Sequence, residues 1–96
     1  MTEILNKVRL VLRIVTHDFD EEITDLISAC LLDLGVAGVT NDDRTDPLII
    51  RAVITYCKMN FGDVNDDYER LKASYDEQKA QLGMTSGYTD WLGVQR

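Results

Sequence analysis

The chain has 96 residues, the size of one domain near the lower end of what folds alone. Its net charge of −7 argues against a protein that follows nucleic-acid phosphates by attraction, while its ordinary apolar content predicts a real core. No apolar run approaches the roughly 18–20 residues that cross a bilayer, and residues 1–15 carry charges throughout. We therefore expect a soluble intracellular protein without a signal peptide.

Two amphipathic helices are predicted in the first third of the chain. Residues 2–15 form a broad apolar face with Lys7, Arg9 and Arg13 outside it. Asp18 and Glu21 then match a capping box, which predicts a second helix that ends at Gly35. The acids around this start are Asp18, Asp20, Glu21, Glu22 and Asp25. Carboxylates in a first helical turn favour the helix dipole, so this cluster is explained without a bound metal.

The stretch 46–62 predicts a third helix with both ends marked. Asp46 suits the N-cap, Pro47 suits the first helical position, and Gly62 suits the residue after the end. Apolar residues occupy most of its circumference, which is typical of a buried central helix, and leave Arg51, Thr55 and Lys58 for solvent. The predicted core residues here are Ile50, Val53, Ile54, Cys57 and Phe61.

The rest of the chain predicts a loop, one more helix and a tail. Residues 36–45 form a loop that is long for a helical bundle and carries Asp42 and Asp43. Residues 66–82 form a peripheral helix with a narrow apolar seam, which ends at Gly83. The expected organisation is a helical domain of residues 1–83 followed by an irregular tail of residues 84–96. That tail holds Tyr88, Trp91 and Leu92, so it docks either on its own domain or on a partner.

Residues that carry chemistry do not form a recognisable set. Cys30 and Cys57 lie inside apolar helical patterns and are interpreted as buried free thiols. His17 has no partners of the right type for a metal or catalytic site, and the acidic connector 63–67 fails the calcium-loop pattern. There is no nucleophile–base pair and no glycine-rich phosphate loop. We predict no catalytic residues, no metal and no cofactor, in an all-α, small four-helix bundle around a buried central third helix.

Charge is spread unevenly along the chain. In residues 1–15 three bases stand against Glu3, a balance of +2, and in residues 16–46 nine carboxylates stand against Arg44, a balance of −8. This asymmetry has two interpretations. The charged surfaces simply face solvent, or they guide the contact between two molecules.

The order of the motifs resembles one protein family. A basic amphipathic helix is followed by THDFDEEITDLISACLLDLGVAGV, then by DPLIIRAVITYCKMNFG, and then by YERLKASYDEQKAQLG with SGY just after it. Over residues 3–88 this arrangement is similar to the small head–tail connector proteins of long-tailed double-stranded DNA phages, whose members are often labelled DNA-packaging proteins. The most specific parts are DPLI-x-R-A-x-x-TYCK-x-x-FG and YERL-x-x-SY.

The resemblance implies a structural virion protein without catalytic residues. Subunits of this family form a ring of about a dozen copies beneath the portal, which extends the DNA channel and docks the next head-completion or tail protein. DNA is then only passing cargo, and no membrane is contacted. The protein is made in the host bacterial cytoplasm and ends at the head–tail junction. The competing class is a small acidic helical regulator of the DNA-mimic type that binds a host or phage protein.

A ring needs two different surfaces on each subunit. We predict that the basic face of the first helix meets the acidic segment of a neighbour, and that Tyr88, Trp91 and Leu92 dock on a partner such as the portal. The predicted subunit-interface residues are Lys7, Arg9, Arg13, Asp18, Asp20, Glu21, Glu22, Asp25, Asp42 and Asp43.

Overall fold

A computed structural model describes residues 2–39, 46–62 and 66–84, and within these ranges the chain forms four α-helices and no strand. In chain order the helices are α1 (Thr2–Leu12), α2 (Asp20–Val36), α3 (Pro47–Asn60) and α4 (Tyr68–Met84). α3 contacts all three other helices, and α4 packs mainly on α3. The predicted all-α bundle around a central third helix is confirmed.

Both ends of α3 follow from local chemistry, as the sequence predicted. The Asp46 side chain accepts hydrogen bonds from the backbone N–H groups of Leu48 at 2.8 Å and Ile49 at 3.3 Å. Pro47 occupies the first helical position, where its missing N–H removes no hydrogen bond. After the end of the helix, Gly62 takes a φ of 87°, a left-handed conformation that glycine adopts without steric cost.

The C-terminal end of α2 lies beyond the predicted stop at Gly35. The backbone N–H of Gly38 donates to the carbonyl of Gly35 at 3.0 Å, and the N–H of Val39 donates to the carbonyl of Leu34 at 2.8 Å. This pair of bonds is a Schellman motif, in which Gly38 is the left-handed residue with a φ of 96°. The motif turns the chain so that Val39 is buried in the core.

α1 ends with the same motif, which makes it shorter than the predicted 2–15 span. Arg13 N–H donates to the Leu10 carbonyl at 3.1 Å, and Ile14 N–H donates to the Arg9 carbonyl at 2.9 Å. Arg13 is left-handed, with a φ of 63°, although it is not a glycine. The helix therefore ends at Leu12.

The predicted capping box of α2 is wrong. The backbone N–H of Asp18 donates to the Thr16 hydroxyl oxygen at 2.9 Å, and Phe19 is the N-cap without a side-chain capping bond. A local turn therefore occupies the position that the capping box would need. Phe19 instead makes an edge-to-face contact with Phe61 after α3, with ring centroids 5.6 Å apart.

α4 passes through Gly83, where the sequence predicted its end, and continues to Met84. A Cβ atom at Gly83 would lie 3.4 Å from the carbonyl oxygen of Ala37, an ordinary van der Waals distance, so the last turn of α4 lies beside the end of α2. Residues 85–96 lie outside the described residues, so the division of the chain into 1–83 and 84–96 stays a prediction.

The core lies where α3 meets the buried faces of the other helices. Among the residues predicted for it, Val53 and Cys57 are fully buried, whereas Ile50, Ile54 and Phe61 are partly buried and pack against it. Thr55, expected in solvent, is buried, and its hydroxyl donates to the Arg51 carbonyl at 3.0 Å. Other fully buried side chains include Ile4, Val8, Ile23, Ile27, Cys30, Leu34 and Ile49. The most buried side of α3 thus runs through Ile49 and Val53.

Adjacent isoleucines on α3 provide a matched test of this orientation. Ile49→Ala removes a fully buried side chain and should lower the free energy of unfolding by about 3 kcal/mol. Ile50→Ala removes the same atoms from a partly buried site and should cost about 1 kcal/mol. Urea denaturation followed by circular dichroism measures both values. Equal losses, or a larger loss for Ile50→Ala, would contradict the orientation of α3.

Candidate interaction surfaces

Arg9 closes the corner between α1 and α2. Its Nε lies 3.2 Å from Oδ1 of Asp20, and one terminal nitrogen donates to the carbonyl oxygens of Thr16 at 3.2 Å and Val15 at 3.4 Å. The Nε–Oδ1 approach is a close charge contact rather than an aligned hydrogen bond. The side chain of Arg9 is only 12% exposed. Arg9 thus supplies hydrogen-bond donors to two backbone carbonyls of the segment between α1 and α2 in its own chain.

The other predicted interface residues divide by exposure. Asp20 is half-buried, because Arg9 holds one of its oxygens while His17 Nδ1 lies 2.9 Å from the other. Asp42 and Asp43 lie outside the described residues, as do the predicted docking residues Tyr88, Trp91 and Leu92. The predicted interface residues with exposed side chains are Lys7, Arg13, Asp18, Glu21, Glu22 and Asp25.

A polar network joins α4 to the last turns of α2. The Tyr75 hydroxyl donates to Oδ2 of Asp33 at 2.7 Å, and Lys79 Nζ donates to the same oxygen at 3.1 Å. The hydrogen bond from Tyr75 and the neighbouring Lys79 hold the pKa of Asp33 below its ordinary value of 3.8. The Tyr75 ring also packs edge-to-face on Tyr56 of α3, with centroids 5.3 Å apart. Sequence periodicity carried no signal for this network, because it joins residues more than forty positions apart.

The thiols of Cys30 and Cys57 lie near this network, and neither is ionised at neutral pH. Burial raises the pKa of Cys30 and of Cys57 to about 12, so both stay protonated at neutral pH. The Cys30 sulfur lies 3.7 Å from the Tyr75 hydroxyl. Both cysteines are free and buried, as the sequence predicted.

A groove of about 540 Å³ runs between α1 and α4 across the exposed side of α3. Its apolar lining includes Ile50 and Ile54, the partly buried residues that follow Pro47 at helical spacing. The described charged residues that line it are four cations and one carboxylate, namely Lys7, Arg51, Lys58, Arg70 and Glu3. We call this surface the basic groove. It is positive although the whole chain carries a charge of −7.

The basic groove continues into an apolar end. A second hollow of about 430 Å³ shares Arg51 and Gln78 with it and is otherwise lined by Leu48, Leu82, Gln81 and Met84. Leu48 is 51% exposed and Met84 is 83% exposed. Sequence periodicity did not predict the basic groove and its apolar end, because their residues come from α1, α3 and α4.

Other kinds of site find no support in the part of the chain that the structure describes. No group of three or more histidine, cysteine or acidic side chains converges there in a way that would hold a metal ion. None of the described helices combines the length and apolarity needed to cross a membrane.

Comparison with known families assigns the chain. The family model described as phage connector protein matches residues 4–89, which is most of the sequence. The chain therefore belongs to the phage connector family, a structural and non-enzymatic kind of virion component, and the resemblance to head–tail connectors is confirmed. Comparisons with curated proteins and with solved structures gave no significant match.

The role of Arg9 can be tested against an exposed neighbour on the same helix. Arg9→Ala removes the partners of two connector carbonyls and leaves Asp20 without its cation, so it should destabilise the fold by on the order of 1–2 kcal/mol. Lys7→Ala changes an exposed side chain and should stay within about 0.5 kcal/mol. Thermal melts by circular dichroism compare the two, and equal melting temperatures would contradict a structural role for Arg9.

The Tyr75–Asp33 hydrogen bond predicts a specific dependence of stability on pH. Because the pKa of Asp33 is lowered in the folded state, its contribution is present above pH 3.8 and is lost as pH falls through the folded value. Tyr75→Phe should cost about 1–2 kcal/mol near neutral pH, and this cost should shrink below pH 3.8.

Tyr56→Phe is the matched control, since it also removes a phenolic hydroxyl but leaves Asp33 with its partners. Its effect on the free energy of unfolding should be small and independent of pH. Urea denaturation between acidic and neutral pH gives both curves. A cost of Tyr75→Phe that does not change with pH would show that Asp33 gains nothing from the bond.

Proposed function

We propose that this protein is a head–tail connector that forms a ring beneath the phage portal. The ring extends the DNA channel and docks the next head-completion or tail protein, and DNA is only passing cargo. The observation that carries the proposal is the family match over residues 4–89. The copy number proposed from the family resemblance is about a dozen.

The charge distribution supports assembly from unlike surfaces. Glu21, Glu22 and Asp25 form an exposed acidic start of α2, while Lys7 and Arg13 are exposed on and just after α1. A contact between the basic side of one subunit and the acidic start of α2 in the next is the head-to-tail type that a ring requires. Arg9, also predicted for this contact, is engaged within its own chain. It therefore supports the shape of the subunit more than it offers a free charge.

The tail is the proposed anchor to the portal. Residues 85–96 combine Tyr88, Trp91 and Leu92 in a stretch without helical or strand periodicity, a composition suited to docking. α4 ends at Met84, which lines the apolar end of the basic groove. The site of action is accordingly the head–tail junction of the virion.

Attachment to portal-bearing capsids tests this function. The wild-type protein should bind DNA-filled capsids that carry the portal of the same phage, and negative-stain microscopy should show added density at that vertex. Deleting residues 85–96, or replacing Tyr88, Trp91 and Leu92 by alanine, should abolish binding while the melting temperature stays within about 2 °C. The control replaces Thr85, Thr89 and Gln95 by alanine and should bind normally.

Two outcomes would count against the tail as the portal anchor, and a third would count against the connector function. A large fall in melting temperature on deletion would mean that the tail packs on its own domain. Normal binding by the alanine variant would remove the tail from the portal contact. If the wild-type protein does not bind capsids and instead binds a basic host or phage protein as a monomer or dimer, it is a regulator and not a connector.

A further inference from the structure

The outer face of α2 carries an ordered series of exposed side chains. Glu21, Asp25, Ser28, Leu32 and Val36 follow one another at spacings of four, three, four and four, so they lie along one side of the helix. We call this series the α2 stripe. It begins with the carboxylates of Glu21 and Asp25 and continues with the small side chain of Ser28. It ends with the apolar side chains of Leu32 and Val36, which are 72% and 82% exposed. Two such neighbours on a helix surface form an apolar contact patch.

The basic groove presents the matching series along α3 and α4. Lys58 and Arg70 lie at one end, Arg51 and Gln78 in the middle, and the apolar side chains of Leu48 and Met84 at the other. Arg51 and Lys7 form no ion pair with another described residue. Arg70 pairs with Asp67 at 3.3 Å. The basic groove thus carries more cations than carboxylates along its lining and has apolar surface at its other end.

The two series have the same length. At a rise of about 1.5 Å per residue, Glu21 and Val36 are about 22 Å apart along α2, and Arg70 and Met84 are about 21 Å apart along α4. With Glu21 set beside Arg70, Ser28 comes within about 1.5 Å of the level of Gln78 along the helix axis, and Leu32 within about 1.5 Å of the level of Leu82. A single alignment of the α2 stripe along α4 therefore places the acids near the cations of the groove, Ser28 near its middle and Leu32 near its apolar end.

We propose that the basic groove receives the α2 stripe of a second copy of this chain, with the incoming α2 parallel to α4. The inference rests on the proposed ring assembly and names the contact that builds it. The positive charge of the groove selects an acidic occupant, and its apolar end selects one whose apolar side chains follow the acids at this distance. The chain's own residues 85–96 fit less well, because they contain one acid and one base.

Charge reversal at the two surfaces tests the contact. Arg51→Glu places an acid in the groove, and Asp25→Lys places a base on the stripe beyond the first turn of α2, where the helix dipole has little effect. Each variant should weaken self-association by about tenfold in sedimentation equilibrium, since like charges then face each other. The chain that carries both changes should recover to within about threefold of wild type. Lys72→Glu makes the same charge change as Arg51→Glu outside both surfaces and should associate normally.

The apolar end is tested separately with a matched pair. Leu32→Gln removes apolar area from the stripe and should weaken association by about tenfold or more. Leu10→Gln changes a leucine of similar exposure on α1, outside the stripe and the groove, and should associate like wild type. Circular dichroism melts check that each variant is folded before association is measured.

The outcomes separate this contact from the proposed function. The contact is refuted if the double variant stays as weak as the single variants, or if wild type shows no self-association at the highest soluble concentration. If Arg51→Glu self-associates normally but fails to bind portal-bearing capsids, the groove holds the portal and not a second copy, while the connector function stands. If wild type self-associates through these surfaces but never binds capsids, the contact stands and the proposed function falls.

Discussion

The burial of α3 is the constraint on which the rest of the structure depends. Its sequence is apolar around most of the circumference, yet the described chain supplies only three other helices to cover it. The side through Ile49 and Val53 is fully enclosed, and the side through Ile50 and Ile54 is left at the bottom of a groove. A small domain that cannot cover its central helix has an apolar surface available for a partner. Because three helices cover only part of α3, the core ends at the side of Ile50 and Ile54, and the main interaction surface lies on that side.

The sequence predicted those parts of the fold that depend on nearby residues. Asp46, Pro47 and Gly62 define the ends of α3 through contacts within a few positions, and the structure has them as expected. The start of α2 was missed because the Asp18 N–H donates to the Thr16 hydroxyl oxygen and Phe19, not Asp18, is the N-cap. The end of α2 was predicted at Gly35, but the two backbone bonds of the Schellman motif place the left-handed turn at Gly38. The same pair of bonds ends α1 at Leu12, inside the apolar pattern that predicted a helix to residue 15.

The candidate surface shows a different limit of sequence reasoning. Summing charge by segment revealed a basic start and an acidic second segment, but the structure joins Arg9 to Asp20 across that boundary within one chain. The cations of the basic groove come from α1, α3 and α4, so the charge of no single segment predicts the groove. Spacing on α3 did carry part of the signal, since Arg51, Ile54 and Lys58 follow one helical face. The contribution of α4 depends on how that helix lies on α3, which periodicity does not encode.

The curvature of a head-to-tail assembly depends on how α2 and α4 are arranged within each subunit. If the α2 stripe of one copy lies parallel to α4 of the next, the rotation between neighbours must carry the direction of α2 onto that of α4. The angle between α2 and α4 within a subunit is therefore the smallest rotation that this contact allows, and the rotation decides whether a ring closes. Those two helices are joined by Asp33, Tyr75 and Lys79, and Gly83 lies beside Ala37. Exposed ion pairs contribute only about 0–1 kcal/mol each and adapt their geometry easily, so surface charge selects the partner without fixing the angle. The part-buried polar network between α2 and α4 would then help to hold the angle on which closure of a ring depends.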